Sequence, residues 1–347
     1  MLAHQERKPD FNRLRKVLLR ESLPDVVPFY DLFADDVVIS NITKKAADNE
    51  STVEFFYKLG YDYSPVWISP GYGEKTLSTD DTAKLTEGKR EYTDENHGII
   101  ENRSDFDAYK WPEDDEWSIT CVNQMAQYLP DGMKLIVSLK GVFESVINLM
   151  SLVPLCYAIH DDEQLVFDVF ESVGKIHYAM IKACFEKSDI SKIGAVTLCE
   201  DMGYLQGTFL PPEFMRKYAF PWMKKCVELV HSYDKPLILH ACGNLERVMD
   251  DLIDYVGIDA KQSFEDKIQP ITQAKELYGN RIALLGGIDI NFLCVSSEDQ
   301  VREHVRNVLK KCMTGGGYAL GTGNSVPNYI PYNNYLAMLD EGRKYII

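Results

Sequence analysis

The stretch "PLILHACGN", from Pro236 to Asn244, has the pattern of a short buried strand that ends in polar side chains. Its apolar run leads directly into a histidine and a cysteine. His240 and Cys242 are two residues apart, and side chains at that spacing project from the same side of a strand. The stretch therefore predicts a buried strand that carries two chemically active side chains at its C-terminal end.

The composition of the 347-residue chain is that of a globular protein with an acidic balance. Hydrophobic residues make up 45% and charged residues 26%, which is enough apolar material for a full core. The net charge of -16 argues against a nucleic acid or an anionic membrane surface as partner. No apolar run approaches the roughly 20 residues that span a bilayer. The eight cysteines form no closely spaced framework, so we expect a cytoplasmic protein with reduced thiols.

Strand-like and helix-like segments alternate along most of the chain. This alternation indicates parallel strands joined by crossover helices, and the near-continuous apolar runs indicate strands covered on both faces. The sequence predicts an α/β fold, a (β/α)8 TIM barrel, as a single domain over 1–347. A helical extension over 1–60 is expected to pack on it, with helical spacing over 11–20 and 26–42, and an eighth strand is expected within 77–110. The other predicted strands are 61–69, 133–139, 194–199, 236–240, 256–260, 281–289 and 316–323.

The active sites of such barrels lie at the C-terminal ends of the strands. Here the predicted strand ends carry polar side chains, which would form a polar ring at the mouth of an apolar barrel. No order of serine, histidine and aspartate supports a catalytic triad, and neither a Gly-rich dinucleotide turn nor a P-loop follows a strand. The candidate site residues in these positions are Tyr72, Glu200, Asp201, Tyr204, His240, Cys242, Lys261, Gln262, Asp289 and Asn324.

His240 and Cys242 offer the imidazole and thiolate ligands that zinc prefers. A catalytic zinc needs three protein ligands and one open position, so a third residue is required. An acidic side chain from the neighbouring strand is the closest by topology. The alternative is that the histidine caps the strand end and the cysteine only packs there, because no CxxC or HExxH partner is near. The candidates for the third ligand are Cys199, Glu200, Asp201 and Asp289.

Longer segments carry a pattern that covers nearly the whole chain and is strongest from Gly194 onward. They include "VPFYDLFADDVV", "EDMGYLQGTFLPPEFMRKYAFPWMKKCVELVH", "KPLILHACGNLERVMDDLIDYVGIDA", "LLGGIDINFLC" and "GGGYALGTGNSVPNYIPYNN". Together they resemble the uroporphyrinogen decarboxylase superfamily. The resemblance implies a (β/α)8 barrel and one of two activities. These are cofactor-free decarboxylation of uroporphyrinogen, and zinc-dependent methyl transfer between corrinoid proteins and small substrates such as coenzyme M.

The resemblance to the decarboxylase branch fails at two functional positions. That branch has an Arg-rich N-terminal segment, "MRQAGRY", which grips the carboxylates of the substrate, and this chain has nothing like it. A substrate with eight carboxylates needs such donors, because bidentate arginine is their best partner. The branch also carries a histidine in the last strand's loop, "LGHG", where this chain has "LGTG" with Thr322.

The resemblance to the methyltransferase branch rests on its "HxCG" motif, which His240, Cys242 and Gly243 match. The third zinc ligand of that branch is a cysteine in the final loop, again at the place of Thr322. A threonine hydroxyl is a poor zinc ligand. The resemblance therefore implies that Asp201 or Glu200 substitutes, as in related demethylases with carboxylate-containing zinc sites, or that zinc binding is lost.

Three hypotheses about function follow. The preferred one is a zinc-dependent methyltransferase that moves a methyl group between a small substrate and a corrinoid protein or a thiol, with zinc as Lewis acid. The alternative is a cofactor-free, uroporphyrinogen decarboxylase-type carboxy-lyase of porphyrin metabolism. The third is a non-catalytic partner of a corrinoid protein. The expected partners are a small-molecule substrate and a corrinoid protein, and a homodimer is left open.

The hypotheses give each candidate residue a role. The metal ligands are His240, Cys242 and Asp201, with Glu200 as second choice. In the decarboxylase alternative, Lys261 would stabilise charge; the predicted catalytic set is Asp201, Glu200 and Lys261. The predicted substrate contacts are Tyr72, Tyr204, Gln262, Asp289 and Asn324.

Overall fold

The computed structural model describes residues 7–80, 89–115 and 117–347. Its strands are β1 (Tyr63–Trp67), β2 (Thr76–Asp80), β3 (Lys89–Thr93), β4 (Lys134–Lys140), β5 (Ile193–Cys199), β6 (Gly203–Tyr204), β7 (Gly207–Thr208), β8 (Leu237–His240), β9 (Ala260–Gln262), β10 (Ala283–Leu285) and β11 (Tyr318–Ala319). Seven of them form one parallel sheet in the order β1-β4-β5-β8-β9-β10-β11. The predicted parallel α/β class is therefore confirmed.

Helices follow the strands and cover the sheet. They are α1 (Phe11–Leu18), α2 (Asp36–Thr43), α3 (Asn49–Lys58), α4 (Arg103–Ala108), α5 (Thr120–Ala126), α6 (Val142–Met150), α7 (Leu152–Asp161), α8 (Glu163–Lys187), α9 (Pro212–Phe214), α10 (Phe220–Ser232), α11 (Ile271–Tyr278), α12 (Ile290–Val295), α13 (Glu298–Cys312) and α14 (Tyr332–Lys344). Short 3₁₀ turns lie at Ile190–Lys192 and Glu246–Val248, and π-helical turns at Met215–Ala219 and Asp251–Val256.

The sheet is curled, and an extended segment over 27–31 lies between its two edges. Tyr30 N donates to Leu320 O at 2.8 Å, and Leu320 N donates to Pro28 O at 2.8 Å, which adds this segment to the last strand. The Tyr30 ring stacks on that of Tyr63 in β1, with centroids 5.3 Å apart. The architecture is compatible with a TIM barrel, although in the described residues no continuous eighth strand pairs with both edges.

The structure corrects the helical spacing predicted over 26–42, where α2 begins only at Asp36. Proline lacks a backbone N–H and disfavours helical geometry at the preceding residue, so Pro28 keeps this part of the chain extended. The backbone polar groups then pair with the last strand instead of with one another.

The eighth strand expected within 77–110 is also absent from the parallel sheet as far as this region is described. β2 and β3 form a separate antiparallel hairpin, and residues 81–88 lie outside the described residues. The strand predicted over 256–260 begins only at Ala260. Gly257, with φ of 85°, ends the preceding helical turn, so Lys261 and Gln262 lie inside the strand rather than after it.

The N-terminal segment is tied to the sheet by packing and by a buried ion pair. Phe11 of α1 fills the space that a side chain at Gly194 would need. Arg13 Nη1 lies 2.6 Å from Asp62 Oδ1 beside the start of β1. Buried apolar residues form one cluster that runs from α1 to α14. Among the described residues no single helix is long and apolar enough to span a membrane; α6 and α7 pass that test only jointly, and they meet at 92°.

Candidate active site

Asp201, His240 and Cys242 lie together at the C-terminal ends of two neighbouring strands. One potential ligand atom of each residue lies within 4.8 Å of those of the other two. The pairing of β5 with β8 sets Cys199 opposite His240, which brings the residues after the two strands together. Asp201 Oδ1 also accepts the backbone N–H of Cys242 at 3.1 Å. The three residues predicted as metal ligands are therefore neighbours in the fold.

The donor atoms of this cluster fit a zinc ion. Cys242 Sγ lies 3.6 Å from His240 Nε2. Zn–S and Zn–N bonds of about 2.3 and 2.0–2.1 Å at a tetrahedral angle place sulfur and nitrogen about 3.6 Å apart. The other candidates for a third ligand do not belong to the cluster in the described part of the chain: these are Cys199, Glu200 and Asp289.

The imidazole of His240 is oriented by a chain of hydrogen bonds. Its Nδ1–H donates to Gln262 Oε1, and Gln262 Nε2 donates to Asn324 O at 2.7 Å. Burial lowers the pKa of His240, so the ring is neutral. Nε2 is therefore the unprotonated nitrogen, on the side of the ring that faces Cys242. Metal-ligating histidines have the same arrangement, with one nitrogen bonded to the protein and the other available to the metal.

The thiol of Cys242 is surrounded by polar groups that sequence reasoning did not assign to it. Asn324 Nδ2 donates to Sγ at 3.2 Å, and Ser263 Oγ lies 3.4 Å from Sγ. Burial, and then the charge of Asp201, raise the pKa of Cys242 to about 12. A cation held in the cluster would reverse that preference, because a coordinated thiol is deprotonated. Ser263 has no motif signal of its own, since only the β8–β9 pairing brings it here.

A small hairpin made of β6 and β7 covers the loop after β8. Gly243 has φ of 83°, and the backbone of Gly203 and Tyr204 occupies the space that a side chain at this position would need. Asn244 N donates to Tyr204 O at 2.8 Å. The Tyr204 ring stacks on Phe209 with centroids 5.8 Å apart and is 48% exposed. The predicted substrate contact Tyr204 thus offers an aromatic face beside the cluster.

Glu200 is buried at the N-terminus of α6 and does not reach the metal cluster. Its Oε2 accepts the backbone N–H of Glu144 at 3.0 Å, and its carboxyl group fills the space beside Gly141. Burial raises the pKa of Glu200 to about 8. Burial, with the charge of Asp201 next, raises the pKa of Glu144 to about 7. Glu144 was not predicted, although an acid in the first turn after a strand end was the available signal.

We expect Glu200→Gln to remove a pH dependence of stability. An ordinary glutamate titrates near 4.5, and the folded protein holds this proton up to about pH 8. The folded state therefore binds more protons between those values, so the wild-type free energy of unfolding falls as pH rises through that window. The variant should be more stable than wild type by about 1–3 kcal/mol at pH 9 and similar at pH 5. Urea unfolding at both pH values measures this.

The matched control is Glu303→Gln, which changes an exposed glutamate of α13. It should leave the pH profile of stability as in wild type. A Glu200→Gln protein whose stability falls between pH 5 and pH 9 as steeply as that of wild type would show that Glu200 does not hold the proton.

Lys261 lies on the other side of β9 from Gln262, because side chains alternate along a strand. It is 4% exposed, and burial lowers its pKa to about 8. Its Nζ donates to Ala241 O at 3.2 Å and to Ser263 O at 2.7 Å. The predicted catalytic lysine therefore supports the backbone beneath the cluster.

Two further predicted substrate contacts have structural partners. Asp289 caps α12, with Oδ1 accepting Phe292 N at 2.9 Å and Oδ2 accepting Asp266 N at 3.0 Å. Tyr72 stacks on the buried His177 with ring centroids 5.7 Å apart. Neither residue joins the metal cluster.

Thr322 is buried and turns toward Asp31 rather than toward the cysteine. Its N and Oγ1 lie 2.7 and 2.6 Å from Asp31 Oδ1. The hydroxyl groups of Tyr61 and Tyr335 donate to Oδ2 of the same carboxyl group. Burial raises the pKa of Asp31 to about 6. The final loop thus reaches the cluster through Asn324, and Asp31, which sequence reasoning missed, anchors that loop.

The fold and the cluster define a parallel α/β protein with potential metal ligands at the strand ends. The sequence profile of the uroporphyrinogen decarboxylase family matches residues 89–345, and the chain belongs to this family. This confirms the family predicted from the motifs. A search of curated proteins found no match.

Comparison with solved structures supports the fold. A methyltransferase from Methanosarcina mazei aligns over 97% of this chain and 99% of its own, with a TM-score of 0.71 and 14% identity. A β-L-arabinopyranosidase from Geobacillus stearothermophilus aligns over 91% and 75%, with a TM-score of 0.41 and 10% identity. A mannanase from Bacillus subtilis aligns over 95% and 88%, with a TM-score of 0.42 and 10% identity. Only the first of these similarities is strong enough to show a shared fold.

Proposed function

We propose that this chain is a zinc-dependent methyltransferase built on a (β/α)8 barrel, moving a methyl group between a small substrate and a corrinoid protein or a thiol. The observation that carries the proposal is the cluster of Asp201, His240 and Cys242, whose donor atoms lie within 4.8 Å of one another. The cluster lies where barrels of this class place their active sites. The fold is that of the Methanosarcina mazei methyltransferase.

The zinc ion would supply Lewis acidity, which favours the thiolate form of an acceptor thiol or polarises a methyl donor. The chain's own residues prepare the site for it. Gln262 fixes the tautomer of His240, and Asn324 and Ser263 offer hydrogen-bond donors to Cys242 Sγ. The exposed ring of Tyr204 provides an apolar face for a small substrate.

The acids around the cluster disfavour the decarboxylase alternative. A tetrapyrrole with eight carboxylates would approach Asp201 and Glu144, and the charge of the first already raises the pKa of the second. Like charges brought close together are destabilising, and strand-end arginines that would offset them are missing from the sequence.

We expect the protein purified without a histidine tag to contain about one zinc ion per chain, since the donor set is that of a single mononuclear site. Removing the metal should abolish methyl transfer from methylcobalamin to a small thiol such as coenzyme M, and adding zinc back should restore it. Elemental analysis and the absorbance change of the corrinoid measure the two quantities.

Three outcomes would contradict the proposal. Zinc-grown protein that contains no zinc would rule out the mechanism. Carbon dioxide released from uroporphyrinogen by metal-free protein would establish the decarboxylase instead. A complex with a corrinoid protein that survives His240→Ala, without turnover in wild type, would establish the non-catalytic partner.

A further inference from the structure

The paired strands β8 and β9 end just where the cluster begins. The last backbone bond of their ladder runs from Ala241 N to Gln262 O at 3.1 Å. Beyond it, the carbonyl groups of Ala241 and Ser263 both accept hydrogen bonds from Lys261 Nζ. A single ammonium group therefore connects the segments that follow β8 and β9, beyond the end of the sheet.

The position of this ammonium group is energetically costly, because a charge taken out of water must be compensated by its new surroundings. Lys261 is 4% exposed, and its Nζ lies 4.3 Å from the centroid of the Phe264 ring. In the described ranges, no carboxylate lies within the 4.0 Å of Nζ that an ion pair requires. The ammonium group is thus compensated by two carbonyl dipoles and an aromatic face. It therefore binds the backbone and is not part of an ion pair.

Ala241 and Ser263, whose carbonyl groups accept from Lys261, both adjoin the proposed zinc ligands. Ala241 stands between His240 and Cys242 in the chain, and Ser263 places its Oγ 3.4 Å from Cys242 Sγ. Ser263 also has φ of 88°, a left-handed conformation that a non-glycine residue adopts only when its surroundings enforce it.

We propose that Lys261 is a positioning residue, which holds the His240–Cys242 segment and Ser263 in the geometry that binds the metal. A pocket of about 70 Å³ lies beside it, lined by Lys261, Gly243, Met249, Phe264 and Ile268 among others. Ser263 lines the same pocket, and Lys261 Nζ holds its carbonyl group there. Lys261 acts on the metal site through the backbone carbonyl groups of Ala241 and Ser263.

Lys261→Met keeps the aliphatic stem and removes the three N–H donors. In metal-free protein we expect the amides of residues 241–246 and 263–265 to exchange hydrogen for deuterium at least about tenfold faster than in wild type. Zinc affinity, measured by chelator competition, should fall about 10–100-fold, the range observed when residues that orient metal ligands are lost. Exchange elsewhere in the sheet should stay unchanged.

The matched control is Lys275→Met, at a partly buried lysine whose Nζ also donates to a backbone carbonyl group, that of Gly316. It should leave exchange in the two loops and zinc affinity as in wild type. Should Lys261→Met lose its cooperative unfolding transition, Lys261→Gln, which keeps a side-chain N–H donor, is measured in the same way.

The zinc arm of this experiment rests on the proposed function, whereas the exchange arm does not. If wild-type protein contains no zinc but Lys261→Met still shows faster loop exchange, the proposed function is contradicted and the positioning role of Lys261 is supported. Loop exchange equal to wild type in both Lys261 variants would contradict the positioning role of Lys261, whatever the metal content.

Discussion

Under the proposed function, Cys242→Ala is expected to lower the zinc affinity of the protein by more than about 100-fold and to abolish methyl transfer, because it removes one of the three proposed ligands. The two remaining ligands, His240 and Asp201, cannot reproduce the donor set that fits zinc. Chelator competition measures the affinity, and methylcobalamin consumption measures the transfer. Thermal unfolding confirms that the variant is folded, since the change removes only one sulfur atom from a partly exposed position.

The control for this variant is Cys199→Ala, at the end of the neighbouring strand. Cys199 is buried opposite His240 but lies outside the ligand cluster. Its replacement should therefore leave zinc content and methyl transfer as in wild type. Loss of zinc in Cys199→Ala, with zinc retained in Cys242→Ala, would make the first cysteine the ligand and contradict the proposed cluster.

Asp31→Leu is expected to lower the free energy of unfolding by about 3 kcal/mol or more, because several buried donors lose their acceptor and each such group costs about 1–3 kcal/mol. Asp31 is fully buried, and its carboxyl group binds Thr322, Tyr61 and Tyr335. Leucine would leave the N–H of Thr322 and the two phenol groups without this acceptor. Urea unfolding at pH 7 measures the loss.

Asp31→Asn separates the charge of this group from its shape. The ordinary aspartate pKa is 3.8 and the folded value is about 6, so the folded state binds the extra proton between these values. The wild-type free energy of unfolding should therefore fall as pH rises from about 4 to about 6 through this group. The asparagine variant should lack that component.

Asp299→Leu, at an exposed position in the first turn of α13, is the control for the buried carboxyl group. It should change stability by no more than about 0.5 kcal/mol, as surface substitutions do. A loss in Asp31→Leu as small as in this control would show that the buried network does not hold the final loop.

The strand PLILH and the proposed ligand pair at its end could be predicted from the sequence, because each depends on local patterns. The apolar run predicts a strand covered on both faces, and the spacing of His240 and Cys242 puts their side chains on one side. The sequence already placed Asp201 first among four candidates, and the pairing of β5 with β8 decides which side chains after these two strands meet. Glu200, next to Asp201 in sequence, turns instead into the start of α6.

The sequence by itself determined the parallel α/β class and the family, and it predicted the pair of proposed ligands at the end of β8, since periodicity and motif spacing are properties of neighbouring residues. Only the tertiary structure decided which groups the side chains of Thr322, Asn324 and Lys261 contact. Thr322 turns to a carboxyl group that is almost three hundred positions away in the chain, so Asn324 meets the thiol in its place. Which buried polar group finds which partner depends on strand register, and a shift of one residue would exchange every partner.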